Sequence, residues 1–138
     1  MEMAQAPVTA DEVRGWVQRV ADAPLVRDDA ALIDEVRELE TLKAAVEARQ
    51  ARLAVQFDAS QREVAAERGV PAARRGRGVA EQIALARRVS PHRGRILLGL
   101  AKAVVNEMPH TARALARGTD HRVARDLVGA RDRLPLAK

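Results

Sequence analysis

Between Asp28 and Arg68 the chain contains neither glycine nor proline, and alanine recurs throughout. A stretch with no breaker and so many good helix formers predicts one continuous α-helix, roughly 60 Å long at 1.5 Å per residue. Asp28 and Asp29 stand where the positive end of the helix dipole favours an anion, and Arg68 with Gly69 forms a natural stop. Within it Leu32, Leu39, Val46 and Leu53 repeat every seven residues, joined by Val36, Phe57 and Val64 in a companion seam. Lys43 and Gln50 interrupt that second seam. The favoured reading is therefore the spine of a monomeric bundle, with self-association through the long helix as the alternative.

The flanking segments also read as helices. Thr9-Ala-Asp-Glu12 has the form of a capping box, and a short helix should run from there to about Ala23, with Val13, Trp16, Val17 and Val20 on one face before Pro24 ends it. Val70 to Gly78, with one proline and two glycines among arginines, reads as a loop. A third helix is expected over Val79 to Val89, burying Val79, Ile83 and either Leu85 or Ala86. Ser90-Pro91 then opens a fourth: serine as the cap, proline at the first position, where its missing N–H costs nothing. That helix should reach about Glu107, using Ile96, Leu97, Leu100, Val104 and Met108 as its inner stripe, with Gly99 and Ala103 marking close helix contact. A shorter fifth helix is expected from Pro109 to Gly118. No alternating run rich in β-branched or aromatic residues suggests a strand. The expected fold is all-α: a helical bundle with one long central helix, a loop, a helix-turn-helix-like pair and a short C-terminal helix.

At 138 residues the chain suits a single domain, here placed at residues 1–118, with 119–138 as a divergent tail. Hydrophobic residues make up 47%, but much of that share is alanine, which buries little area, so the core should be thin. The absence of cysteine excludes disulfides, thiolate metal sites and a cysteine nucleophile. Met1 to Ala10 has neither the basic start nor the apolar run of a secretory signal, and no stretch approaches the roughly 18 apolar residues of a membrane span. A cytoplasmic location away from membranes is the expectation.

Charge is distributed unevenly. Residues 1–67 carry 8 basic and 14 acidic groups, whereas residues 68–95 carry 8 basic and 1 acidic. The third helix, a short turn and the helix opening at Pro91 have the outline of a helix-turn-helix, in which the first turn of the second helix faces base edges. His92, Arg93 and Arg95 would occupy that turn, while Arg74, Arg75, Arg77, Arg87 and Arg88 neutralise phosphates. Against this stand the frequency of helix hairpins in any bundle, Gly94 within the supposed reading helix and the lack of interleaved aromatics. The competing reading makes the arginines a solvated surface.

Other chemistry finds little support. His92, His110 and His121 are dispersed, with no pair at the i, i+4 spacing of a helical metal site. Asp34, Glu35, Glu38 and Glu40 look like the wet face of a helix rather than a catalytic carboxylate pair. Ser60 and Ser90 lack a nucleophile elbow, and RRGRG lacks the lysine of a phosphate-binding loop. The expectation is a non-catalytic chain without cofactor, metal or small-molecule ligand.

The run from Leu32 to Gly118 closely resembles the 13E12-repeat family of actinobacteria, most recognisably in RLAVQFDASQ (Arg52–Gln61), GVPAARRGRGVAEQIALARRVSPHRG (Gly69–Gly94) and MPHTARALARG (Met108–Gly118). The resemblance implies a helical domain of unknown function, commonly placed ahead of an HNH nuclease domain and often accompanying mobile elements. No HNH motif is recognisable in this sequence, so nuclease activity does not transfer. After Gly118 the likeness stops. Codons permitted by Gly118 to Arg125, read one base later, give Gly-Gln-Ile-Thr-Glu-Trp-Arg, which resembles the family's continuation; residues 119–138 are therefore expected to be the frameshifted end of a truncated relative. The function expected on these grounds is an accessory module contacting DNA through its basic segment. The alternative is a structural or protein-interaction domain, or a remnant without activity.

Overall fold

The computed structural model describes residues 4–107 together with His110, Arg113 and Arg117. The fold is all-α, and no strand occurs among the described residues. Among the described residues four α-helices follow in order: α1 (Ala10–Asp22), α2 (Asp29–Glu67), α3 (Val79–Arg87) and α4 (Pro91–Lys102). A 3₁₀ turn (Ala72–Arg74) lies in the loop before α3, and a π-helical turn (Ala103–Glu107) continues α4. The chain divides into two compact units, residues 1–36 and 37–138, with the boundary inside α2.

In the first unit α1 begins at the expected capping box. Thr9 Oγ1 accepts from the Glu12 amide at 3.2 Å, and Glu12 Oε2 accepts from the Thr9 amide at 2.7 Å. These Thr9 contacts, backbone first and then side chain, hold the Glu12 carboxyl below its ordinary value. Val13, Trp16, Val17 and Val20 share a face that stays exposed, and no residue of α1 is buried.

The second unit contains the core. Helix α2 is a single 39-residue helix. Asp28 caps its start, Oδ2 accepting from the Ala31 amide at 2.9 Å. Its end is a Schellman motif: the Val70 amide donates to the Ala65 carbonyl and the Gly69 amide to that of Ala66, with Gly69 at φ 76°. The face that α2 buries carries Ala44, Ala48, Ala51 and Asp58. The heptad row lies on the other side: Val46 is 47% exposed and Leu53 54%, with Leu32 and Leu39 half-buried. This corrects the expected inner seam. The small-residue face is the one taken inside.

Val79, Ile83 and Leu98 form a buried cluster, with Ala54, Phe57 and Ala80 against it. Five of the ten buried hydrophobic residues among those described are alanine, so the core is indeed thin. In α3 the third inner residue is Ala84, whereas Leu85 is 80% exposed. Leu97, Leu98, Ala101 and Val104 face inward from the next segment, while Ile96 is exposed and Leu100 half-buried. Of the expected fifth helix, His110 and Arg113 are helical and Arg117 lies in a turn; its other residues, Met108 of the inner stripe and the tail 119–138 fall outside the described residues.

Candidate functional site

The basic segment is built on the α3–α4 hairpin. A Cβ placed on Gly94 would lie 2.5 Å from both the Ala80 carbonyl oxygen and the Ala84 Cβ, so the two helices touch at that glycine. Gly99, expected to make the close contact, has nothing within 4 Å and is exposed. Gly94 belongs to the hairpin contact rather than weakening an exposed reading helix. The turn is three residues, Arg88 to Ser90. Its first half is a second Schellman motif, with the Val89 amide donating to the Ala84 carbonyl and that of Arg88 to Leu85. The left-handed position, usually glycine, is Arg88 at φ 57° and ψ 44°. Ser90 then caps α4, its Oγ accepting from the Arg93 amide at 3.2 Å, with Pro91 in the first turn.

The eight candidate residues do not share one environment. Arg87 Nη2 donates to Glu47 Oε2 on α2 at 3.0 Å, both side chains being mostly buried. Arg95 Nη1 donates to Glu81 Oε1 on α3 at 3.2 Å, in an exposed pair. Arg75 Nε donates to the Val70 carbonyl at 2.9 Å and closes the loop on itself. Arg93 is only 8% exposed. Arg74, Arg77, Arg88 and His92 are exposed. They fall into two groups, Arg74 and Arg77 ahead of α3 and Arg88 with His92 after it, separated by a nine-residue helix of about 13 Å.

A second constellation lies beneath the loop. Asp58 is buried on α2 at 4% exposure, and its Oδ2 accepts from both Arg62 Nε and Lys102 Nζ at 2.9 Å. Burial raises the Asp58 pKa, yet the hydrogen bonds and charges of Lys102 and Arg62 outweigh it and hold the carboxyl below its ordinary value. Asp58 Oδ1 is enclosed without a protein hydrogen bond. The Arg62 guanidinium also lies against Gly76, where an added Cβ would come within 2.6 Å of Nη2, and Gly76 has φ 82°. One carboxylate thus joins α2 and α4 and, through Arg62, seats the loop that carries Arg74 and Arg77. Sequence reading missed this cluster. Asp58 and Arg62 stand at the i, i+4 spacing of a helical ion pair, but nothing in the sequence indicated Lys102 as the third member.

As chemistry, the exposed arginines and His92 offer hydrogen-bond donors and positive charge suited to phosphate oxygens. Among the described residues there is no group of three or more His, Asp or Glu side chains arranged to hold a metal ion. No described helix is long and apolar enough to cross a membrane. No family model, curated protein or solved structure matches the chain.

Proposed function

We propose that this chain is a non-catalytic accessory helical module that contacts nucleic acid, duplex DNA in the first instance, through cations at the two ends of α3. The observation that supports it is the exposure of Arg74, Arg77, Arg88 and His92 without a carboxylate contact among the described residues. Arg87 and Arg95 belong to the scaffold in this reading, because each already holds a glutamate. The nuclease-associated or mobile-element setting rests on the resemblance to the 13E12-repeat family alone.

Fluorescence anisotropy with duplex DNA across a salt series tests the reading. With three arginines on phosphates, log K should fall against log salt with a slope of about −3, and affinity should be micromolar or weaker. Arg74→Glu with Arg77→Glu should flatten that slope. Arg93 is a poor site for such a test, since a carboxylate there would be placed in a buried position. Absent or salt-independent binding would overturn the reading. A second reading, a protein-interaction module, is favoured by the apolar row exposed on α2.

A further inference from the structure

We infer that Arg62, on α2, is a further phosphate-contacting residue and the one that positions the loop carrying Arg74 and Arg77. This rests on the DNA-contacting reading of that loop and adds to it a cation from outside the basic segment. Arg62 and the loop belong to the same compact unit. Arg62 Nε donates to Asp58 Oδ2 at 2.9 Å, so one edge of the guanidinium is fixed to a carboxylate that is itself buried. The rest of the group lies on Gly76: an added Cβ there would come within 2.6 Å of Nη2, 2.8 Å of Cζ and 3.0 Å of Nε. Gly76 accepts this neighbour because it has no side chain, and its φ of 82° suits glycine.

Only the Nε edge of Arg62 is used. Its Nη1 and Nη2 have no acceptor among the described residues, and the side chain remains 44% exposed. The two nitrogens are thus held beside the loop backbone, at a residue adjacent to Arg77 and two places from Arg74.

Charge indicates what they meet. Arg74, Arg75 and Arg77 flank Gly76 in the chain, and Arg62 brings another guanidinium to the same point. Among the described residues none of the three loop arginines forms an ion pair with a carboxylate, and Asp58 is already shared between Arg62 and Lys102. Like charges gathered in this way repel, and an anion from outside the chain relieves the repulsion. A guanidinium fixed along one edge offers its Nη end as a fork that matches a phosphate of the nucleic-acid backbone, which an ammonium on a flexible stem does not. Arg62 is then the contact, and Asp58, acting through it, is a positioning residue.

Anisotropy of the full chain with duplex DNA across a salt series, paired with urea unfolding of each variant, tests the inference. Arg62→Ala should weaken binding by about five- to tenfold and lower the magnitude of the slope of log K against log salt by about 1. Arg62→Lys should keep the slope but lose about two- to fivefold in affinity, because the charge stays and the fixed fork goes. Asp58→Ala makes the chain more positive, so charge alone calls for tighter binding, whereas loss of the anchor calls for binding weaker by about twofold or more. The seat is read without DNA by a double-mutant cycle: Gly76→Ala should lower the urea midpoint more in the wild-type chain than in Arg62→Ala, where the added methyl meets no guanidinium. Binding by Arg62→Ala that equals the wild type in strength and salt response overturns the inference and leaves the DNA reading in place; a wild-type chain that binds no DNA overturns both. Weaker binding at an unchanged slope marks a purely structural role and also overturns the contact. Additive midpoints in the cycle overturn the seat on Gly76, and tighter binding by Asp58→Ala overturns the positioning role of Asp58.

Discussion

Lys102 Nζ reaches Asp58 Oδ2 at 2.9 Å, so the last residue of α4 is tied to a buried carboxylate on α2 that also holds Arg62. Breaking such a bond is costly because the partner left behind is enclosed. Lys102→Met should cost about 1 to 2 kcal/mol, since Arg62 still neutralises the acid. Asp58→Ala should cost about 2 to 3 kcal/mol, moderated because the two cations can turn toward water. Urea unfolding monitored by circular dichroism at neutral pH measures both, and equal costs for the two variants would contradict a shared carboxylate.

The same carboxylate sets an acid limit. Its pKa in the folded chain lies below the ordinary 3.8, so the unfolded chain binds more protons over that interval and stability falls as pH drops. The contribution is fully present above about pH 4 and disappears as pH falls through the lowered value. Denaturation midpoints measured from neutral pH down to about pH 2 should show a steeper acid loss in the wild-type chain than in Asp58→Asn. Parallel curves would remove Asp58 from the account.

Two glycines five residues apart on α4 should respond oppositely to one substitution. Gly99→Ala adds a methyl where nothing lies within 4 Å and should stabilise the helix by about 0.5 to 1 kcal/mol. Gly94→Ala drives its methyl against the Ala80 carbonyl oxygen and Ala84 Cβ, both at 2.5 Å, and should destabilise by about 2 to 3 kcal/mol as α3 and α4 separate. Thermal unfolding of the pair of variants is the measurement, and the same sign in both would contradict the crossing.

Features governed by neighbouring residues were legible in the sequence. The Thr9–Glu12 capping box, the Ser90-Pro91 start and the length of α2 depend on contacts within a turn or on the absence of breakers, and each stands as expected. The inward face of α2 was not legible, because hydrophobicity ranks the leucine row above Ala44, Ala48 and Ala51, and nothing in the local pattern marks the alanine face as the buried one. Gly94 and Gly99 look alike in sequence, and only the position of α3 distinguishes them. For the basic segment, the excess charge could be counted but its pairing could not. Glu47, which takes Arg87, lies 40 residues away on another helix.

Arg88 joins the fold to the proposed function. It occupies the left-handed position of the α3 Schellman turn, where an L side chain crowds the following carbonyl and glycine does not. Arg88→Gly relieves that strain but loosens the unfolded chain, so the net expectation is a gain of about 0.5 to 1 kcal/mol. Because Arg88 is also one of the exposed cations, the same variant should bind duplex DNA more weakly and lower the magnitude of the salt slope by about 1. Stability and affinity thus move in opposite directions, which separates a lost phosphate contact from a damaged fold. Chemical denaturation paired with the anisotropy titration reads both; a more stable variant with unchanged DNA binding would take Arg88 out of the interface while leaving the turn as described.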